Sequence, residues 1–337
     1  MPANLSPEYK AAAAAYQKAR DPKERLEGLR EMLRTIPKHK GTEHLQADIK
    51  ARIKALSEEL EGGRKGGGGR TGPALVIRPE GAAQLALVGP PNSGKSSLHA
   101  RLTGSNAHVA DYPFTTQFPE PGMMPFEDIH FQLVDLPAIS TGHAFPWIAN
   151  TLQSADAALL VLDLDESDCL GQLQSVETLL RQRGVTLAAQ WEPANASSGE
   201  GDPFARSLPT LLVANKADRM ADAESELAAF RDLAGAAYPA MVVSAHTGMG
   251  LGNLGPWLYE GLGIVRIYTK APGHAPDRSR PFTLRRGGTV GDLARLIHND
   301  LARSLRYARL WGPSGFDGQH VGPEHALAEG DVVELHA

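Results

Sequence analysis

The sequence predicts an α/β fold with a mostly parallel sheet, preceded by an α-helical hairpin and followed by a small mixed α+β module. Apolar runs typical of buried parallel strands alternate with helical segments in the centre of the chain. Two apolar stripes at helical spacing precede them, and short strands around one capped helix follow. We place the three parts at residues 1–72, 73–263 and 264–337 of the 337-residue chain.

The first part is predicted to be helical over residues 7–61. A capping residue precedes proline at Ser6-Pro7 and again at Asp21-Pro22, a pattern that marks helix starts. Leucine and isoleucine recur every three or four residues on both sides of Pro37, and Thr42 caps the second run. Each of two helices thus has one apolar stripe, so we expect a hairpin, followed by the flexible basic linker Gly62–Arg70.

The central part contains five apolar runs that we interpret as strands. Most of them end in a polar or glycine-bearing turn, where an open α/β sheet carries its ligand site. The segment Trp191–Leu208 has no periodicity and is interpreted as an exposed insertion. The predicted strands are Leu85–Val88, Ile129–Val134, Ala157–Leu164, Thr210–Ala214 and Ala240–Val243.

The last part is predicted to be a module with its own core. Thr289 is expected to cap a helix that runs to about Leu305. The predicted strands are Val265–Tyr268, Pro281–Leu284, Tyr307–Trp311 and Asp331–Leu335. The helical residues expected to face inward are Val290, Leu293, Leu296 or Ile297, and Leu301.

The composition and the charge distribution exclude some classes of protein for this chain and favour others. The longest apolar run, near Ala157–Leu162, is far shorter than the ~20 residues of a membrane helix, and no secretory signal is visible, so we expect no membrane partner. Cys169 is the single cysteine, which excludes an internal disulfide and favours the cytoplasm. Residues 1–72 carry a net charge of +5, residues 73–263 of −12 and residues 264–337 of +2. Basic ends around an acidic centre are typical of a protein whose ends contact an anionic partner.

The segment Gly89–Ser96 fits the phosphate-loop pattern G-x-x-x-x-G-K-[ST] between a predicted strand and a predicted helix. Its glycines let successive backbone N–H groups point at phosphate oxygens, Lys95 places a charge between the β- and γ-phosphates, and the Ser96 hydroxyl binds Mg²⁺. The nucleotide-binding residues predicted here are Pro91, Asn92, Ser93, Gly94, Lys95, Ser96 and Ser97.

Two further motifs follow in order, each at the end of a predicted strand. Asp135 closes Ile129–Val134 and is placed to orient Mg²⁺. Asn215-Lys216-Ala217-Asp218 follows the fourth strand, and the Asp218 carboxylate can accept both the N1–H and the 2-amino group of guanine, a pair that adenine lacks. Asn215 can reach the other edge of the base, and Ser244-Ala245 would bring a backbone N–H to the guanine oxygen. These motifs predict a guanine-nucleotide domain that binds GTP and GDP.

With these motifs the chain resembles the Obg-related GTPases, and within them the developmentally regulated GTP-binding proteins. The likeness covers nearly the whole chain, because the C-terminal part resembles their TGS domain, a β-grasp fold. The resemblance is carried by Gly89–Ser96, Tyr112–Thr116, Asp135-Leu136-Pro137, Asn215–Asp218, Lys38–Leu45, Arg266–Lys270, Tyr307-Ala308, Leu310-Trp311-Gly312 and Asp331-Val332-Val333.

The resemblance implies a cytoplasmic, translation-associated GTPase whose helical and TGS parts meet the ribosome or structured RNA. We expect a monomer, and a protein factor is a further partner that the sequence leaves open. Thr116, with Thr115 as the alternative, would be the switch threonine on Mg²⁺ beside Ser96 and Asp135. Asn92 would help to hold K⁺ at the phosphates. The K⁺ ion would there neutralise the charge that develops in the transition state. The implied catalytic residues are Lys95, Thr116 and Asn92.

The chain departs from the family pattern in three places, and at Ile139 it shares with this hydrophobic-substituted group a departure from many other GTPases. Ala138 replaces the glycine of the Asp-x-Pro-Gly motif, and alanine keeps the N–H but restricts the backbone. Ile139 stands where many GTPases have a water-orienting glutamine. The acidic residue usual shortly afterwards is missing, and so is the larger domain inserted in the GTPase core.

These departures leave two main hypotheses, a slow GTPase switch and a GTP/GDP-binding scaffold with little turnover that works through its TGS domain. An ATPase of the same fold is a weaker third hypothesis, which Asp218 disfavours. An aromatic platform is not readable from the spacing of Trp191, Trp257 and Trp311, so base stacking on RNA cannot be argued from the sequence.

Overall fold

The chain is described here from a computed structural model. It describes residues 5–19, 21–37, 40–62, 77–105, 118–140, 148–191, 204–235 and 237–337. Most of the predicted linker Gly62–Arg70, the whole of Tyr112–Thr116, and residues 192–203 of the predicted insertion lie outside these ranges.

The described residues of the N-terminal part form three helices, one more than the predicted hairpin. Helix α1 forms separately because Ser6 caps it, with the hydroxyl accepting the Tyr9 N–H at 3.1 Å, and because its alanines favour a helix. Asp21 caps the second helix in the same way. No helix in the described ranges is both long and apolar enough to cross a membrane. The helices are α1 (Pro7–Lys18), α2 (Pro22–Thr35) and α3 (Glu43–Gly62), with a 3-10 turn at Lys40–Thr42.

The helical unit packs onto the central part through a buried polar contact and an aromatic contact. The Tyr16 hydroxyl donates to the side-chain oxygen of Gln153 at 3.1 Å, and the Arg25 guanidinium donates to both groups. Phe204 packs edge-on against the Tyr16 ring, with 5.9 Å between centroids. Phe204 thus belongs to the core of the helical unit, although it lies far along the chain.

Within the described residues, the central part forms a seven-stranded sheet in which every strand except β2 runs parallel to its neighbours. The strand order is β2-β3-β1-β4-β6-β5, with β7 beside the second half of β6. Apolar clusters cover both of its faces, so the sheet is a buried layer. The strands are β1 (Ala83–Val88), β2 (Glu120–Phe126), β3 (Ile129–Asp135), β4 (Ala157–Asp163), β5 (Val185–Ala188), β6 (Arg206–Asn215) and β7 (Ala240–Val242). The helices are α4 (Lys95–Thr103), α5 (Ile148–Ser154), α6 (Cys169–Arg181), α7 (Ala223–Ala234) and α8 (Leu254–Gly261).

All five predicted central strands are present, and the structure adds β2 and β5. Strand β2 contains two prolines and a glycine, residues that sequence rules assign to turns, and they are tolerated because β2 lies at the sheet edge. Strand β6 starts at Arg206, inside the predicted insertion Trp191–Leu208, so the insertion ends earlier than expected.

The C-terminal part is a five-stranded sheet in the order β11-β10-β12-β8-β9, with one face covered by a helix. This arrangement is the expected β-grasp module, and the predicted fold class is confirmed. The strands are β8 (Ile264–Thr269), β9 (Asp277–Arg285), β10 (Tyr307–Trp311), β11 (Gln319–Val321) and β12 (Val332–His336). The helices are α9 (Val290–Ile297) and α10 (Asn299–Ser304).

One detail of this module differs from the prediction. Thr289 caps α9 as expected, in a capping box with Asp292, but the predicted helix breaks at His298, which has an extended backbone. Leu296 and Ile297 were expected to face inward, yet they are 53% and 36% exposed. The buried residues of α9 are Val290, Leu293 and Ala294, so its contact with the sheet is made by the first five residues of the helix.

The central part and the C-terminal module are joined without a long connection. Helix α8 ends at Gly261 and β8 begins at Ile264, whose side chain packs in the core of the central part. Arg266 of β8 forms ion pairs with Glu127 at 2.5 Å and Asp128 at 2.8 Å, in the turn between β2 and β3. These contacts fasten the module to the central sheet.

Candidate functional site

The segment Gly89–Ser96 forms a loop between β1 and α4, as its pattern predicts. Gly94 has a φ of +89°, a left-handed conformation that favours glycine. A Cβ atom on Gly94 would also collide with the side-chain amide of Asn215. Asn92 is exposed at the loop tip with a φ of +61°, and asparagine tolerates this conformation better than most residues.

Lys95 is held inside the loop. Its ammonium group donates to the carbonyl oxygens of Gly89 at 3.2 Å and Pro90 at 2.8 Å, and the residue is only 6% exposed. Burial lowers the pKa of Lys95 to about 8, and the nearby negative charge of Asp135 opposes part of this shift. Phosphate oxygens would give this buried cation a stronger partner than carbonyl groups do.

Ser96 and Asp135 meet where β3 ends and α4 begins. The Ser96 hydroxyl donates to a carboxylate oxygen of Asp135 at 2.5 Å, and Asp135 is 1% exposed. The two residues predicted to share a metal ion are therefore neighbours. A hydroxyl and a carboxylate are oxygen donors of the kind that Mg²⁺ prefers.

The segment after Asp135 is docked against the phosphate loop. The Ile139 N–H donates to the Gly89 carbonyl at 3.0 Å, and the Ile139 side chain is buried in the core. Ala138 is 7% exposed and does not have a positive φ, so alanine fits there without backbone strain. The Ala138 and Ile139 departures are thus accommodated, with Ile139 packed away from solvent. Residues 141–147, which follow, lie outside the described ranges.

Asn215 joins the base-recognition motifs to the phosphate loop. Its side-chain nitrogen donates to the Ser93 carbonyl at 3.0 Å, and its side-chain oxygen accepts the Ala245 N–H at 3.0 Å. Asn215 is 1% exposed, and its bond to Ser93 is buried. The Ala245 N–H was expected to point at the guanine oxygen, but in this structure its partner is Asn215.

Asp218 is exposed at the rim of the site in a 3-10 turn that follows β6. The Ser244 hydroxyl donates to its carboxylate at 2.5 Å, and this hydrogen bond lowers the pKa of Asp218. The carboxylate is therefore charged and oriented near pH 7, as acceptance of two guanine N–H groups requires. Ser244 thus contributes its side chain, where the sequence had suggested a backbone contact.

The remaining predicted residues fall into two groups. Pro91 and Ser93 lie in the phosphate loop, and Ser97 lies in the first turn of α4. Thr116 and the alternative Thr115 lie outside the described ranges, so their contact with Mg²⁺ stays a prediction.

One residue of the site was missed by the sequence reasoning. Asp163, the last residue of β4, forms an ion pair with Lys216 at 2.7 Å. The signal was present, because Asp163 ends an apolar strand just as Asp135 does. Its significance became visible only when the sheet order placed β4 beside β6.

Comparison with known proteins identifies the family. A family model described as a 50S ribosome-binding GTPase matches residues 84–190, and a TGS domain model matches residues 265–337. A GTP-binding protein of Halobacterium salinarum, itself uncharacterised, is 30% identical over 93% of this chain and 98% of its own length. This chain belongs to the Obg-related GTPases that carry a TGS domain. It is a GTP-binding protein.

Further relatives of this GTPase are similar over most of their length. Developmentally-regulated GTP-binding protein 1 of Xenopus laevis is 28% identical over 90% of this chain and 96% of its own length. The alignment with the Halobacterium protein spans 367 positions, more than the 337 residues of this chain. That relative therefore has residues without a counterpart here. Among solved structures, a GTP-binding protein from Pyrococcus horikoshii is 16% identical with a TM-score of 0.48, and the match covers 75% of this chain and 99% of that one.

Proposed function

We propose that this GTPase hydrolyses GTP to GDP and phosphate as a translation- or ribosome-associated switch, and that its helical and TGS parts contact RNA. The observation that carries the nucleotide site is the position of Asn215, whose side chain bonds to Ser93 of the phosphate loop and to Ala245 of the base-recognition loop. One buried side chain thereby connects the parts of the site that would hold the phosphates and the base. We propose further that the protein acts as a cytoplasmic monomer.

Ser96 and Asp135 fit Mg²⁺, with Thr116 as a third proposed ligand. Among the described residues, no group of three or more His, Cys, Asp or Glu side chains could hold a metal ion. Mg²⁺ commonly binds through one or two protein oxygens together with nucleotide phosphates and water, so a two-residue site fits it. When bound, Mg²⁺ would neutralise phosphate charge during hydrolysis.

In the proposed reaction, Lys95 stabilises the charge that develops between the β- and γ-phosphates. Asn92 lies at the exposed tip of the loop, where its side chain is accessible to the K⁺ ion that the resemblance implies. The buried Ile139 side chain carries no polar group to orient water. We therefore propose slow intrinsic turnover that rises with K⁺.

The open face of the TGS sheet supports contact with RNA. Tyr307 lies between the rings of His320 and His336, with centroid distances of 4.6 Å and 4.5 Å. Arg309 is exposed beside His320, and the Lys270 ammonium, which is paired with Glu334 at 3.2 Å, lies 4.0 Å from the centre of the Trp311 ring. Aromatic rings interleaved with cations on a sheet are a common surface for unpaired bases.

The first test is steady-state hydrolysis of GTP by the purified protein in potassium and in sodium buffers. Turnover that is higher in potassium supports the proposed role of Asn92, and Asn92→Ala should remove the difference. Affinities for GTP and ATP in wild type and in Asp218→Ala test the base preference. Equal affinities for the two nucleotides in wild type would contradict the guanine assignment.

A second candidate function is a GTP- or GDP-binding scaffold with little turnover. It is favoured by the docking of Ile139 against Gly89, because this contact holds the segment after Asp135 against the loop. Affinity for purified ribosomes distinguishes the two functions. A switch binds with different affinities in the presence of GTP and GDP, whereas a scaffold binds equally with GTP, with GDP and without nucleotide.

A further inference from the structure

Asp163 and Lys216 form an ion pair below the proposed base site. The Lys216 ammonium lies 2.7 Å from one carboxylate oxygen of Asp163, and the side chains are 24% and 10% exposed. The other oxygen of Asp163 accepts the Asp165 N–H at 3.2 Å. The turn after β4 therefore helps to orient the Asp163 carboxylate toward Lys216.

The ion pair orients Lys216 toward the phosphate loop. Asp163 is paired with Asn215 in the register of β4 and β6, and Lys216 follows Asn215 with a φ of +62°. A lysine keeps this left-handed conformation only where its surroundings hold it. A Cβ atom on Gly94 would lie 3.9 Å from Cε of Lys216, so the stem of the lysine runs alongside the loop.

We propose that Asp163 is a positioning residue of the nucleotide site, which holds the Lys216 side chain between the phosphate loop and the base. A free lysine side chain has many rotamers, and ordering it at the moment of binding would weaken the affinity. The ion pair with Asp163 orders Lys216 in advance. This inference rests on the proposed guanine site.

The proposal predicts an equal effect on GDP and GTP, because the ion pair lies away from the γ-phosphate end of the site. Asp163→Asn should weaken the affinity for both nucleotides about tenfold, as expected for the loss of a hydrogen bond between charged groups. It should raise KM for GTP by a similar factor and leave kcat unchanged, since uniform binding is lost.

The experiment is a double-mutant cycle with the full chain. Dissociation constants for fluorescent GDP and GTP analogues are measured for wild type, Asp163→Asn, Lys216→Met and the double variant. If Asp163 acts through Lys216, Asp163→Asn changes affinity less than about twofold in the Lys216→Met background. Asp165→Asn is the matched control, since it removes the charge of an exposed neighbouring carboxylate and should leave affinity unchanged.

Two results would overturn the proposal: unchanged affinity in Asp163→Asn, or the same tenfold loss with and without Lys216. Thermal unfolding of each nucleotide-free variant reports whether it folds. If Asp163→Asn does not fold, Asp163→Glu keeps the charge and completes the cycle, with an expected loss smaller than that of Lys216→Met. Wild type that binds no guanine nucleotide would refute the proposed function itself. Wild type that binds, with an unaffected Asp163→Asn, refutes only the role of Asp163.

Discussion

The two sheets of this GTPase present their polar side chains in different ways. Apolar clusters cover both faces of the central sheet, and every residue of β4 is buried, so its polar groups concentrate where strands end. In the TGS sheet, α9 covers one face, and Tyr307, Arg309 and Trp311 alternate along β10 with buried Ala308 and Leu310. A sheet with both faces covered thus presents polar groups to a ligand at the ends of its strands. A sheet with one face covered presents them on its exposed face.

The first prediction concerns the proposed nucleotide site at the strand ends of the central sheet and leaves the exposed face of the TGS sheet unchanged. Lys95→Ala should lower GTP turnover at least about hundredfold, because it removes the cation that we propose stabilises the phosphates. Single-turnover hydrolysis at saturating GTP measures the effect. Lys270→Ala is the matched control, since it removes a lysine from the TGS sheet, and its turnover should equal that of wild type. Unchanged hydrolysis in Lys95→Ala would contradict the assignment of the phosphate loop as the site of GTP hydrolysis.

The second prediction concerns the exposed face of the TGS sheet and leaves the proposed nucleotide site unchanged. Tyr307→Ala should weaken binding of single-stranded RNA about tenfold, because it removes the central ring of the aromatic stack. Fluorescence anisotropy with a labelled oligonucleotide measures the affinity, and GTP turnover should not change. Leu296→Ala, on the helix-covered side of the same module, should bind RNA as wild type does. An equal loss in both variants would place the RNA surface elsewhere.

The third prediction concerns how Lys95 makes the free energy of unfolding depend on pH. The pKa of Lys95 is lowered to about 8 in the folded protein, so between pH 8 and 10 the unfolded chain binds more protons at this residue. The free energy of unfolding of the nucleotide-free protein should therefore rise over this interval by about 2 kcal/mol relative to Lys95→Met. Urea unfolding at several pH values measures the difference. Parallel pH profiles for the two proteins would show that Lys95 is not buried as described.

The fourth prediction tests the junction between the two sheets. Arg266→Ala removes the cation shared by Glu127, Asp128 and Glu329, and should lower the free energy of unfolding by about 1–2 kcal/mol. Since part of the network is exposed, high salt should reduce the difference between the variants. Arg280→Ala, an exposed arginine of β9, should stay within about 0.5 kcal/mol of wild type. An equal effect of the two substitutions would argue against the junction network.

The fifth prediction concerns the N-terminal cap of α9 in the TGS module. Thr289→Ala removes the cap of α9 and should destabilise the protein by about 1 kcal/mol. Urea unfolding followed by circular dichroism measures the change. Thr289→Ser keeps a hydroxyl at the cap and should restore most of the stability. Loss of the same size in both variants would mean that the hydroxyl does not act as a cap.

The sequence predicted more of the candidate nucleotide site, at the strand ends of the central sheet, than of the exposed face of the TGS sheet. The reason is physical. Phosphate loops and base motifs are local patterns, so Lys95, Asp135 and Asn215 could be found without knowledge of the strand order. The stack of Tyr307, His320 and His336 combines three strands, and its register is set by tertiary pairing. Spacing along the chain does not contain that register.

The dependence on tertiary contacts also explains two smaller differences between the sequence prediction and the structure. Asp163 gained its importance from Lys216, which lies 53 residues later and becomes a neighbour only through the pairing of β4 and β6. Leu296 and Ile297 are apolar residues of the same helix, but the buried positions of α9 end at Ala294. Periodicity predicts which residues share a helix face and does not predict how far the opposing surface extends.

The short junction between α8 and β8 has a consequence for how the molecule moves in solution. Two residues separate the helix from the strand, Ile264 packs in the core of the GTPase domain, and Arg266 is fastened to the turn between β2 and β3. Because the connection is this short and both contacts hold it, we expect the GTPase and TGS domains to tumble together, which NMR relaxation of the two domains would measure. A force applied to the TGS sheet would therefore act on the turn before β3, the strand that ends at Asp135.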